Sequence, residues 1–140
     1  MKRMGSTDQS VQHAPVVYVD RSEIVEGKIG DLKSAISDLS QFVSAMEPRI
    51  VSYAAYFSAD EKRMTVIHVH PDSASLETHM DVAGSQFPKF ADYVRLLGIE
   101  VYGQIGDSLL AKLQEKVRLL GEGSVSVADP RAGFVRTVVA

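Results

Sequence analysis

The amino-acid sequence predicts an α+β protein whose strands and helices follow the order β-α-β-β-α-β. Residues 16–24 and 63–70 are rich in β-branched residues, as strands are. Residues 29–46 repeat apolar side chains at three- and four-residue spacing, which is typical of an amphipathic helix. Polar residues 60–62 are few enough for a hairpin turn between two strands. This order is the ferredoxin-like arrangement, an antiparallel sheet of four strands with both helices on one face.

The bounds of each element follow from its pattern and from the residues that interrupt it. Pro48 ends the first helix, because proline disfavours a helical residue before it. Gly84 and Pro88 predict a break in the second helix, and Gly103 predicts a bulge in the last strand. The predicted elements are a strand at 16–24, a helix at 29–46, strands at 49–58 and 63–70, a helix at 73–94 and a strand at 96–105.

The chain divides into three predicted parts. Residues 1–14 are predicted to form a flexible arm, and residues 15–106 the ferredoxin-like domain. Residues 107–140 are predicted to be an extension that packs on the domain or on a partner chain. The extension begins with a helix that is capped by Asp107 or Ser108 and ends at Gly121, and its last part reads as one or two short strands.

The composition is that of an ordinary globular domain, with 45% hydrophobic and 24% charged residues. A net charge of −3 gives no electrostatic reason to expect a nucleic-acid or membrane partner. The absence of cysteine excludes disulfides, thiolate nucleophiles and cysteine-bound metal clusters, and it fits a cytoplasmic protein. No apolar run approaches the ~20 residues of a membrane span, and no secretory signal is recognisable.

One sheet face is predicted to need a cover that the two helices do not supply. This face is expected to carry Val16, Tyr18, Met64 and Val66, which are too apolar to face water. A second copy of the same sheet would bury it. We therefore expect a homodimer, with the C-terminal segment 133–139 reaching onto the partner.

Three of the four histidines lie within a short strand–turn–helix segment. His68 and His70 share one face of the strand, because side chains alternate along it. His79 lies on the helix that follows, which Asp72 or Ser73 can cap. The imidazole is the side chain most suited to proton transfer near neutral pH, so this segment is the first place to look for a chemical site.

The strand, its short acidic turn and the helix that follows resemble the antibiotic biosynthesis monooxygenase-like family. The first residues of that helix, 73–79, are Ser-Ala-Ser-Leu-Glu-Thr-His. The spacing from Asp20 through Gly27 into the first helix is also similar, and the resemblance covers roughly residues 15–106. It implies a dimeric α+β barrel. Some members of that family oxidise quinol-like aromatic compounds without metal or flavin, some degrade haem, and many have no known activity.

The resemblance can be carried over residue by residue. It implies that Asp20 points into the pocket, where the family often has asparagine, and that His79 matches the helix histidine. His70 stands where a tryptophan often ends the third strand, which is a departure from the family pattern. The stretch at 89–91, Lys-Phe-Ala, lacks the axial histidine of the haem-degrading members, so haem degradation is disfavoured.

The leading hypothesis is a cofactor-free oxygenase that acts on a small phenolic or quinol-like aromatic compound. His79 would be the general base and Asp20 would orient its imidazole, although the pair also fits a helix histidine capped by a carboxylate. His68, His70 and Tyr56 would supply polar contacts in an otherwise apolar cavity. Which face of the second strand lines that cavity is left open. The alternative function is a non-catalytic stress-response or ligand-binding dimer.

A metal site is the remaining alternative at the histidines. The spacing of His68 and His70 suits chelation, and His79 or Asp20 would complete the ligand set. The favoured interpretation is that both histidines line a partly wet barrel and bond to tyrosine or backbone. We therefore predict a protein that purifies without stoichiometric metal.

Overall fold

The computed structural model describes residues 15–136, so the predicted arm at 1–14 lies outside the described residues. Within this range the chain forms one sheet with helices packed against it. The strands are β1 (Val16–Ile24), β2 (Ser52–Phe57), β3 (Arg63–His70), β4 (Val94–Tyr102) and β5 (Gly121–Ala128). The helices are α1 (Ile29–Met46), α2 (Ser73–Ala83) and α3 (Asp107–Leu120), and a 3₁₀ segment (Gly84–Asp92) follows α2.

The sheet has the order β2-β3-β1-β4-β5, with β1 at its centre. The first four of these strands pair with one another in antiparallel fashion, and β5 joins β4 in parallel after the α3 crossover. The ferredoxin-like order predicted for residues 15–106 is therefore confirmed. The extension packs on its own chain, where β5 lengthens the sheet and α3 lies against β4 and the 3₁₀ segment.

The face of the sheet that lies under the helices is the one that the sequence analysis left uncovered. Val16, Tyr18, Met64 and Val66 are each at most 4% exposed in the single chain. They belong to the inner face, which is the face covered by the helices, so the prediction that a second copy covers them is wrong. The alternation of β1 does not separate the two faces, because residues 16–19 are apolar on both.

The outer face of the sheet is the opposite one, and it carries apolar side chains of its own. Val17 and Val69 form a pair in the β1–β3 register, and Val19 pairs with Ile67. Tyr56 on β2 is 56% exposed. This face is the one that remains available to a partner.

Several element bounds differ from the sequence prediction. The second helix ends at Ala83, and residues 84–92 continue as 3₁₀ turns around Pro88, which has no N–H for an α-helical bond. β2 is shorter than predicted, and β4 both begins and ends earlier. Gly103 follows β4 with φ +146, and a Cβ there would lie 3.0 Å from Val16 Cγ2. It is therefore a close approach after the strand and not a bulge within it.

The C-terminal part of the extension is less regular than predicted. β5 ends at Ala128, and residues 129–136 form no strand. Residues 137–139 of the predicted partner-binding segment lie outside the described residues. None of the helices described here combines the length and apolar character that crossing a bilayer requires.

Candidate functional site

The three histidines converge between the inner face of the sheet and α2. His68 and His70 point inward from β3, and His79 points back at them from α2. The ring centroids of His68 and His79 lie 4.7 Å apart, and none of the three side chains is more than 1% exposed. Asp72 caps α2 by accepting a hydrogen bond from the Ser75 N–H at 2.9 Å, which fixes where the helix begins. The three histidines therefore form one buried cluster, an arrangement that the sequence did not fix.

His68 and His70 are linked by a hydrogen bond and are held in the neutral form. His68 Nδ1 and His70 Nε2 are 2.7 Å apart, so one nitrogen donates and the other accepts. His70 Nδ1 also lies 2.8 Å from the Ser75 hydroxyl. Burial, followed by the electrostatic effect of the neighbouring His79, lowers the pKa of His70 to about 4. The pKa of His68 is lowered by the same causes.

His79 has a carboxylate partner, but that partner is Glu47 and not Asp20. His79 Nδ1 lies 3.0 and 3.1 Å from the two carboxylate oxygens of Glu47, and both side chains are almost fully buried. Glu47 is the residue directly after α1, where Pro48 turns the chain towards β2. The prediction that Asp20 orients the His79 imidazole is therefore wrong, because Glu47 occupies that position.

Asp20 belongs to a second buried group, which includes a lysine from the extension. The Tyr18 hydroxyl donates to Asp20 Oδ2 at 2.6 Å and accepts from Lys116 Nζ at 2.7 Å. Lys116 Nζ lies 3.3 Å from the same carboxylate oxygen. Burial lowers the pKa of Lys116, and the Asp20 carboxylate opposes that shift. Burial also raises the pKa of Tyr18 well above its usual value, so its hydroxyl remains a donor.

An inner cavity of about 30 Å³ lies beside this second group. Its polar lining is Asp20, Ser22, Tyr53 and Lys116. The rest of its wall is apolar and comes from α1, β3, the 3₁₀ segment, β4 and α3: Ile36, Leu39, Met64, Val66, Phe87, Phe90, Val94, Leu96 and Leu120. The Asp20 carboxylate and the Lys116 ammonium group therefore meet at one end of an apolar space, which the Tyr53 side chain also lines.

The predicted site residues do not all face this cavity. Asp20 lines it. His68, His70 and His79 lie behind Tyr53, whose ring centroid is 5.0 Å from that of His68 and 5.8 Å from that of His79.

Tyr56 is not part of the site. In the β2–β3 register Tyr53 is paired with His68, whereas Tyr56 is paired with Thr65 on the outer face. The prediction that Tyr56 contacts the ligand is therefore wrong, and the tyrosines whose rings contact the histidines are Tyr18 and Tyr53. This register decides which face of the second strand lines the pocket.

The histidines do not form a chelating set. Among residues 15–136, no group of three or more histidine, aspartate or glutamate side chains has the geometry to hold a metal ion. The 2.7 Å hydrogen bond between His68 and His70 occupies the nitrogens that would otherwise face a shared ion.

Three residues of the candidate site, Glu47, Tyr53 and Lys116, are not among the site residues predicted from the sequence. Glu47 lies before a proline at a helix end, where a solvated carboxylate is the ordinary expectation. Lys116 lies one position before Val117 on an amphipathic helix and is only 9% exposed. Its position within the apolar pattern of α3, among Leu113, Val117 and Leu120, is the one local signal that indicated burial.

Comparison with solved structures places the chain among proteins of one fold. MupZ from Pseudomonas fluorescens superposes with a TM-score of 0.69 at 17% identity, over 91% of this chain and 98% of MupZ. SnoaB, a cofactor-independent oxygenase from Streptomyces nogalater, superposes with a TM-score of 0.57 at 14% identity, over 66% of this chain and 95% of SnoaB. A candidate antibiotic biosynthesis monooxygenase from Caulobacter crescentus gives 0.60 at 16% identity, over 71% of this chain and 98% of that protein. No protein-family model and no curated protein sequence matches the chain.

These superpositions define the class of fold. The chain has the fold of the antibiotic biosynthesis monooxygenase-like proteins, so the resemblance stated from the sequence is confirmed at the level of the fold. The match to MupZ covers more of the chain than residues 15–106 contain, so it includes part of the extension.

Proposed function

We propose that the protein is a cofactor-free oxygenase that acts on a small phenolic or quinol-like aromatic compound. The observation that carries this proposal is the meeting of the Asp20 carboxylate and the Lys116 ammonium group at one end of an apolar cavity. The apolar wall suits an aromatic ring, and the polar end suits the hydroxyl that such a ring carries. The fold shared with SnoaB, a cofactor-independent oxygenase, is consistent with this class of reaction.

The proposed reaction begins with proton transfer to Asp20, which is the carboxylate that faces the cavity. Lys116 stabilises the phenolate that forms, in a site from which most water is excluded. The electron-rich anion then reacts with O₂. One oxygen atom enters the ring as a carbonyl and the other leaves as water, whose two hydrogens come from the hydroxyl and the attacked ring carbon. This balance requires no external reductant.

The pair of His79 and Glu47 has a supporting role in this proposal. His79 lies behind Tyr53, whose ring is part of the cavity wall. Glu47 fixes the His79 imidazole, and the imidazole in turn packs against the rings of His68 and Tyr53. The histidines therefore position the cavity wall, and Asp20 takes over the role of base that the sequence analysis assigned to His79.

Oxygen uptake with a panel of naphthols and hydroquinones tests the proposal. Asp20→Asn removes the proton acceptor with little change of shape, and we expect kcat to fall about 100-fold or more. Lys116→Met is expected to reduce kcat to a similar extent. Arg118→Met, on the exposed side of the same helix and away from the cavity, is the matched control. Full activity of Asp20→Asn towards a confirmed substrate would refute the proposed base.

The alternative function is a non-catalytic dimer that binds a small ligand. The position of the histidines favours it, because none of the three lines the inner cavity and none can take a proton from a ligand there. Protein that consumes no oxygen across the panel, yet shows a higher melting temperature with the same naphthols, would support this alternative.

We also propose that the chain forms a homodimer through the outer face of its sheet. This face combines the valine and isoleucine pairs of β1 and β3 with Tyr56 and with Tyr102, which is 46% exposed. Sedimentation velocity at micromolar concentration is expected to give a dimer, and Tyr56→Asp is expected to weaken it. Met46→Asp is the control, since Met46 is 57% exposed but lies at the end of α1. A wild-type monomer would exclude this assembly.

A further inference from the structure

The inner cavity is separated from the surface by two side chains. A surface cleft of about 220 Å³ lies between α2, the 3₁₀ segment and α3. We call it the outer cleft, and its lining includes Met80, Gly84, Phe87, Lys112, Lys116 and Leu119. Phe87 and Lys116 line both the outer cleft and the inner cavity. These two residues are therefore the wall between the two spaces.

The wall is closed by one contact. Lys116 Nζ lies 4.3 Å from the centroid of the Phe87 ring, so the ring packs on the ammonium group. On the other side Lys116 bonds to Tyr18 and Asp20. Two of its three N–H donors are used in this way, and the third is available to a ligand.

The volumes decide where an aromatic ligand can lie. A cavity that accepts benzene measures about 150 Å³, several times the volume of the inner cavity. The outer cleft is large enough for one ring but is cut off from Asp20 by Phe87. A single space that holds a ring and still reaches the polar end exists only when Phe87 moves aside.

The segment that carries Phe87 is built for such a movement. Residues 84–92 form consecutive 3₁₀ turns, whose hydrogen bonds are weaker than those of an α-helix and whose runs rarely exceed four residues. Gly84 begins the segment and has open space where a Cβ would stand. Displacement of Phe87 gives up its buried contacts, including that with the His79 ring, but the backbone that it disturbs is a weakly bonded turn and not the sheet.

We propose that the outer cleft is the outer half of the ligand site, and that displacement of Phe87 joins it to the inner cavity around Lys116. The ligand is an aromatic compound with an acidic hydroxyl, its ring in the place vacated by Phe87 and its oxygen on Lys116 Nζ. The apolar floor of the outer cleft, Met80 and Leu119, contacts the ring. We call the opening between the outer cleft and the inner cavity the passage. The choice of this ligand rests on the proposed function, whereas the passage itself does not.

The passage can be tested without any ligand. Reductive methylation with formaldehyde and cyanoborohydride labels accessible lysines, and mass spectrometry compares Lys116 with the exposed Lys33 of α1 in the same sample. Phe87→Ala is expected to raise the relative labelling rate of Lys116 about tenfold or more, because it removes the group that closes the wall. Phe90→Ala is the matched control, since Phe90 is a buried ring of the same segment that lines the inner cavity alone.

The outcomes separate the passage from the proposed function. Equal labelling of Lys116 in Phe87→Ala and Phe90→Ala, both shown to be folded by thermal unfolding, would refute the passage. If Phe87→Ala does not fold, Phe87→Leu takes its place, and a labelling rate no higher than that of wild type would refute the passage. Saturating 1-naphthol is expected to protect Lys116 in the wild type. Faster labelling in Phe87→Ala without protection by 1-naphthol would support the passage and reject a naphthol as its ligand.

Discussion

The buried pair of Lys116 and Asp20 makes a quantitative prediction about stability. Lys116→Met keeps the length of the side chain and its contact with Phe87 but removes the charge. Asp20 then keeps the hydrogen bond from Tyr18 and loses its only cationic partner among the described residues. An unpaired buried carboxylate is strongly unfavourable, so we expect the free energy of unfolding to fall by about 3–5 kcal/mol.

The double variant Asp20→Asn with Lys116→Met separates the charge effect from packing. Neither charge remains in the double variant, so we expect its loss of unfolding free energy to be at least about 2 kcal/mol smaller than the sum of the two single losses. Urea unfolding of the four proteins gives this coupling energy, provided that their m-values agree. Lys112→Met controls for the loss of a lysine from α3, because its partners Glu77 and Asp81 are solvated and the expected cost is small. Additive losses, or a cost of Lys116→Met no larger than that of Lys112→Met, would refute the buried ion pair.

Two further predictions concern the pH dependence of stability and the close packing of β5. The pKa of His70 is about 4 in the folded chain and about 6.5 when unfolded, so the unfolded state binds more protons between these values. The free energy of unfolding is therefore retained above pH 6.5 and falls by about 3 kcal/mol as the pH drops to 4. Urea unfolding of His70→Gln should show a smaller fall over the same range. A wild-type stability that is flat over this range would contradict the prediction. Gly123→Ala should destabilise the protein strongly, since its Cβ would lie 2.1 Å from the Leu97 carbonyl oxygen, whereas Gly30→Ala on α1 meets open space and should stabilise it by about 0.5–1 kcal/mol. Thermal unfolding compares the two alanine variants, and equal melting temperatures would contradict the close approach of β5 to β4.

The elements that could be predicted from the sequence are those with a clear local pattern. β1, α1 and β3 have the bounds expected from the patterns and from Pro48 and Pro71. That His68 and His70 share one face of the sheet also follows from alternation along a strand. The choice of face does not, because β1 is apolar on both sides and local alternation cannot say which side the helices cover.

The partners of the site residues could not be predicted, because they are set by tertiary packing. The contact between His79 and Glu47 joins residues 32 positions apart, and the contact between Lys116 and Asp20 joins residues 96 apart. Asp20 was chosen as the partner of His79 because the resemblance places both at the pocket. Asp20 does line the inner cavity, but the carboxylate that bonds to His79 is that of Glu47, at the end of α1.

The position of Lys116 makes the extension part of the site. SnoaB aligns over 95% of its own length while covering only 66% of this chain, so it leaves no segment of comparable size to match α3 and β5. In this chain α3 supplies the ammonium group beside Asp20 and one side of the outer cleft. Without α3, Asp20 and Tyr18 would face the surface on that side and the inner cavity would have no closing wall. The extension therefore gives this site a charged group that the four-stranded core alone does not supply.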